Sequence, residues 1–190
     1  MSKMFAKVAV FFFLILAFCF CFRKEEQKAE DGKQLMRLLD ENKFDEAIDF
    51  SLKLSKKYPK DSGYIATTSA IYHGLGNDEK AREYILQAIE IEPNSGSNHA
   101  NLGFIYYKKK DFKRALPPLS KGLELGGYSD PCKLTYAIGA CSYELNDLEN
   151  AAGTLLAFIQ KCNEIKGNEI YLTDAKEILL DIDKKIKKRK

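Results

Sequence analysis

Side chains able to do chemistry are few in this 190-residue chain: two histidines, five cysteines and no tryptophan. His73 and His99 stand far apart, and neither has a thiol or carboxylate partner at metal-ligand spacing. Cys132, Cys141 and Cys162 also lack zinc-site spacing. No glycine-rich phosphate loop, Walker motif or activated serine occurs. The inventory predicts a protein that binds and is not an enzyme, with no metal and no cofactor.

Charge narrows the partner class. Lys and Arg number 30 against 27 Asp and Glu, a net charge of +3. Six of the positive charges crowd into Lys184–Lys190, and Lys3 and Lys7 add two more. Without those eight, residues 8–183 carry −5. A mildly acidic body argues against nucleic acid, which selects a basic face on the folded domain. The 12 Gly, 5 Pro and 45% hydrophobic content suit one ordered helical domain with a sizeable core.

Residues 1–22 form a separate segment. Lys3 and Lys7 precede an uncharged apolar run from Val8 to Phe22, closed by Arg23-Lys24-Glu25-Glu26. A basic start followed by such a run matches a bacterial export signal. As a helix the run spans roughly 22 Å, short of the roughly 30 Å hydrocarbon core. Extension back to Met4, with Lys7 snorkelling, reaches across. Leu16-Ala17-Phe18-Cys19 resembles a bacterial lipobox, with Phe18 where that motif takes a small residue. The resemblance makes Cys19 the lipidation candidate. A lipoprotein, an uncleaved membrane anchor and a cleaved signal peptide all place the body outside or against a membrane. A polar tether, 23–33, follows.

Beyond the tether the pattern is helical, with apolar residues at three- and four-residue spacing in segments of about 14. Turns fall at Tyr58-Pro59-Lys60-Asp61, Gly74-Leu75-Gly76-Asn77-Asp78, Glu92-Pro93-Asn94-Ser95 and Gly126-Gly127. Asp130 and Pro131 suit an N-cap and first helical turn. Aligning Pro59 with Pro93 exposes an internal repeat, in segments 28–61, 62–95, 96–129 and 132–165. The third segment reads His99-x-x-Leu102-Gly103-x-x-Tyr106, then Ala115-x-x-x-Leu119. Small residues recur at Ser69, Gly103 and Gly139, and at Ala47, Ala81, Ala115 and Ala151. This resembles the tetratricopeptide repeat, whose pattern is W-x-x-L-G-x-x-Y, then A-x-x-x-F, then P. His99 stands in the place of the Trp. The expected fold is all-α, a right-handed α-solenoid of about four helix hairpins over 34–165. Residues 166–190 would supply a C-terminal capping helix with a basic tail. Pro117 and Pro118 fall inside a helix and predict a bend.

The resemblance also implies a concave groove lined by the first helix of each repeat. Its groove positions are Thr67, Ala70 and His73, then Asn101, Phe104, Tyr107 and Lys108, then Tyr136, Ala140 and Tyr143. Rings dominate them, which suits an apolar or aromatic peptide segment. On the same register Cys132 opens the fourth hairpin and Cys162 closes it. A disulfide is then possible if their Cα atoms come within about 7 Å; three reduced core cysteines are the alternative. Cys141 would be buried and unpaired. The implied function is a membrane-tethered scaffold or adaptor in a bacterial cell envelope, holding a protein or peptide partner in the assembly of an envelope machine. The alternative is an accessory or carrier protein holding a small apolar ligand or peptide for an envelope enzyme.

Overall fold

A computed structural model describes residues 22–188, and all regular structure among them is helical. The chain divides into two units, Met1–Lys57 and Tyr58–Lys190. In the first, helix α1 is described from residue 22 to residue 40, and α2 spans Phe44–Lys57. The stretch 23–33, expected as a polar tether, is part of α1. Its Lys, Arg, Glu, Gln and Ala are strong helix formers, so its polarity marks a solvated helix face. Asp31 is buried within it and pairs with Lys57 Nζ at 2.6 Å, tying α1 to the end of α2. Leu35, Ala47, Ile48 and Leu54 are the buried apolar residues of this hairpin.

The second unit holds α3 (Gly63–Gly74), α4 (Asp78–Ile91), α5 (Gly96–Lys108), α6 (Phe112–Leu125), α7 (Pro131–Glu144), α8 (Leu148–Cys162) and α9 (Glu169–Lys187). Helices pair as α3/α4, α5/α6 and α7/α8, and the second helix of each of the first two pairs packs on the first helix of the next. First helices also meet directly, α3 with α5, α5 with α7 and α7 with α9. This is a stack of hairpins in which each buries its neighbour's apolar face.

The same turn closes every hairpin. Asn42, Gly76, Lys110 and Asn146 all have positive φ, between 57° and 80°. In each case that residue's N–H and the next fold back on the ending helix, as in Gly76 N–H to His73 O and Asn77 N–H to Tyr72 O. These bonds satisfy carbonyls that the helix end leaves open. Asn77, Asp111 and Asp147 then cap the following helix, each side chain accepting the N–H three residues on.

Within the hairpins the helices approach closely. A Cβ on Gly103 would lie 2.5 Å from Leu119 Cγ, and one on Gly139 2.7 Å from Leu155 Cδ2. Ser69 holds the equivalent place in α3 and donates its hydroxyl to Ala81 O at 2.7 Å. Helix α6 runs unbroken through Pro117 and Pro118. The carbonyls those prolines leave unpaired belong to Lys113 and Arg114, which are exposed, so water can take the place of the lost donors. Gly126 and Gly127, at φ 73° and 79°, turn the chain out of α6. Asp130 then caps α7, with Pro131 in its first turn.

Candidate binding site

The first helices are short and rich in small and aromatic residues, and their inner faces border a cavity of about 550 Å³. Helix α3 contributes Ala70 and His73; α5 contributes Asn101, Phe104, Tyr107 and Lys108. From α7 come Lys133, Tyr136 and Ala137, and from the first two turns of α9 Ile170, Tyr171 and Asp174. Tyr128, in the loop between α6 and α7, closes part of the wall.

Seven of the ten groove residues inferred from the repeat line this cavity. Thr67 does not; its hydroxyl donates to Gly63 O along its own helix. Ala140 and Tyr143 are covered by α9. Ala140 is buried in a cluster with Ala175, and Tyr143 donates to Asp181 Oδ2 at 2.6 Å while accepting from Lys185 Nζ. The reason lies in how α9 is seated. Tyr136 bonds Asp174, and Tyr143, two turns on, bonds Asp181, seven residues further along α9. Helix α9 therefore runs parallel to α7, as one more first helix in the stack. It takes up the inner face of the fourth hairpin that the sequence left open. Ile170, in the first turn of α9, is 80% exposed at the cavity rim. Lys133 was legible one turn before Tyr136, on the same face. Tyr128 and the three α9 residues carried no repeat signal.

The rings brace one another. Phe104 lies 5.5 Å from Tyr128 and 6.4 Å from Tyr107 between ring centres, and Tyr136 lies 4.9 Å from Tyr171. Such contacts fix a preformed apolar wall. Burial pushes the phenols of Tyr107, Tyr128 and Tyr136 above the usual tyrosine range, and for Tyr136 the bond to the Asp174 carboxylate adds to it. The rings therefore stay neutral at physiological pH. Lys108 Nζ donates to His73 O, and Lys133 Nζ lies 5.2 Å from the centre of the Phe104 ring. No carboxylate lies within ion-pairing distance of either lysine among the described residues. His73 Nδ1 is 2.7 Å from Asp78 Oδ1, an arrangement that holds the ring at the end of α3.

No group of three or more potential metal ligands occurs among the described residues. Cys132 and Cys162 are joined in a disulfide between the start of α7 and the end of α8, with Cα atoms 5.9 Å apart. Cys141 is free and buried, and burial pushes its thiol up to about 12.

Hairpins of this length and turn, stacked in this order, define a helical-repeat fold. The tetratricopeptide-repeat family model matches residues 69–95. No curated protein matches by sequence. Among solved structures, PilW, a widely conserved type IV pilus biogenesis factor, aligns with TM-score 0.60 and 21% identity over 68% of this chain. The alignment spans 60% of PilW's length. MamA from Desulfovibrio magneticus RS-1 aligns with TM-score 0.63 and 17% identity, over 83% of this chain and 90% of that one. YrrB, a TPR protein with an unusual peptide-binding site, gives TM-score 0.61 and 17% identity, over 78% and 82%. The chain contains a tetratricopeptide repeat and has the fold of the tetratricopeptide-repeat proteins.

Proposed function

We propose that the protein is a membrane-tethered scaffold of a bacterial cell envelope that holds a partner protein through a segment seated in the inner-face cavity. The ring-walled cavity carries this reading, because it is preformed, apolar and built on rigid helices. The fold it shares with a pilus biogenesis factor and a peptide-binding protein supports the same class of role. The tether would be supplied by the apolar run ending at Phe22. A second reading, a carrier for a small apolar molecule, is favoured by the cavity volume, which falls within the roughly 300–1,000 Å³ range of ligand pockets.

Photo-crosslinking in cells separates the two. A photoreactive residue at Asn101, on the cavity wall, should give a discrete protein adduct that the same residue at Glu83, exposed on α4, does not. Tyr107→Ala should reduce the adduct several-fold while leaving helicity intact. A small-molecule adduct at Asn101 would select the carrier reading, and no adduct at all would sink both.

A further inference from the structure

The cavity is apolar in its walls but not neutral at its ends. Its one lining carboxylate, Asp174, is engaged by the Tyr136 hydroxyl. Its two lining ammonium groups, Lys108 and Lys133, face no carboxylate among the described residues. They also sit at opposite ends. Lys108 is the last residue of α5, whereas Lys133 lies in the first turn of α7. On the repeat register Lys133 is level with Ser97, eleven residues before Lys108, an axial distance of roughly 16 Å at about 1.5 Å per residue. Between them lie the rings of Phe104, Tyr107 and Tyr136. In an extended strand, residues four apart share one face and lie roughly 13 Å from each other, a difference that the flexible lysine and carboxylate side chains take up.

The geometry points to a partner segment in extended conformation that carries an aromatic residue flanked on both sides, about two residues away, by carboxylates. This inference rests on the scaffold reading and specifies its occupant. The ring enters the aromatic wall, where offset and edge contacts favour it over an aliphatic side chain. One carboxylate meets Lys108 and the other Lys133. Each ion pair forms beside low-dielectric walls, where it is screened less than at an open surface. A segment with lysines in those places meets two like charges and is rejected.

The test uses the full-length chain held in detergent and three fluorescein-labelled, C-terminally amidated peptides. Their cores are Glu-Ser-Phe-Ser-Glu, Ser-Ser-Phe-Ser-Ser and Glu-Ser-Ala-Ser-Glu, with identical Gly-Ser flanks, and binding is read by fluorescence polarisation. The first should bind about tenfold more tightly than either of the others. Lys108→Gln and Lys133→Gln should each lower its affinity about threefold or more without changing that of the serine-flanked peptide. Ala70→Trp, which fills the cavity from an exposed position, should abolish the difference. Equal binding of the three peptides, no binding by any, or indifference to both lysine substitutions overturns the inference. Concentration-dependent self-association abolished by Ala70→Trp also overturns it, by naming a second copy of the chain as occupant. A protein adduct at Asn101 that persists through such a result leaves the scaffold reading standing, so the two failures are distinguishable.

Discussion

At Gly103 the packing leaves no space for a single carbon, because a Cβ there would meet both the side chain and the backbone nitrogen of the fully buried Leu119. Gly103→Leu should therefore destabilise the protein by about 3 kcal/mol or more, and Gly103→Ala by about 1–3 kcal/mol. Gly96→Ala should cost at least as much, since its Cβ would fall 1.9 Å from the Gly126 carbonyl oxygen, which is backbone and cannot rotate away. Gly74→Ala is the control. Nothing lies within 4 Å of its Cβ, and loss of a helical glycine should be neutral or add up to about 1 kcal/mol. Urea unfolding of the four variants checks the order. The repeat pattern made Gly103 and Gly139 legible, whereas Gly96 meets a loop that no periodicity encodes. A second expectation concerns alkali. Tyr107, Tyr128, Tyr136 and Cys141 all have folded pKa values raised by burial, so the unfolded chain loses its protons first. Their contribution is complete below the unfolded values, about 9 for the thiol and 10 for the phenols, and is lost as pH rises beyond them. The melting temperature should fall from pH 9 upwards, and Tyr136→Phe should flatten that fall. A Tyr136→Phe profile as steep as the parent's would count against the buried-phenol account.

The four hairpin turns show how far local rules carry at the level of elements. Each needs a left-handed residue, and only Gly76 supplies it without steric cost; Lys110 adopts φ 58° with a full side chain. Lys110→Gly should accordingly stabilise by about 0.5 kcal/mol, the left-handed penalty removed less the entropy glycine adds. Calorimetry resolves a gain of this size as a rise in melting temperature of a degree or two. Helix existence and pairing were legible because small residues, caps and apolar spacing all repeat together in α3 to α8. Helix α1 was legible only in part, since its charged first half resembles a tether when composition is read without helix propensity. The seat of α9 was less legible still. Tyr136 and Tyr143 carry the groove pattern, but their partners Asp174 and Asp181 are common surface residues until a parallel helix brings them within bonding distance. The Cys132–Cys162 bond ties the two ends of the fourth hairpin just before the loop that delivers α9. Cys132→Ser with Cys162→Ser should lower stability by about 3 kcal/mol. The parent should lose the same amount on reduction, and an unchanged urea midpoint in reductant would mean the thiols are not paired in the isolated protein.

Among the described residues no helix is long and apolar enough to cross a membrane. The sequence offers two candidate membrane attachments, the apolar run Val8 to Phe22, nearly all of it outside the described residues, and the basic tail Lys184–Lys190. The two mechanisms differ in kind. Burial of about fifteen apolar residues in lipid is insensitive to salt, whereas attraction of a polybasic tail to anionic headgroups is screened within a few ångströms at about 1 M salt. The full-length chain should stay with the membrane pellet in about 1 M salt and leave it in detergent. A chain starting at Arg23 should appear in the supernatant and keep its helical circular dichroism. Release of the full-length chain by salt alone would move the anchor to the tail and leave the cavity argument untouched. A full-length chain that is soluble without detergent and intact at its N-terminus would remove the tether altogether. Cys19→Ser then distinguishes lipid from peptide as the anchor. Loss of acyl labelling together with altered processing identifies a lipoprotein. Unchanged processing and labelling with retained attachment leaves the Phe-rich run itself as the anchor, with Lys7 drawn to the headgroups.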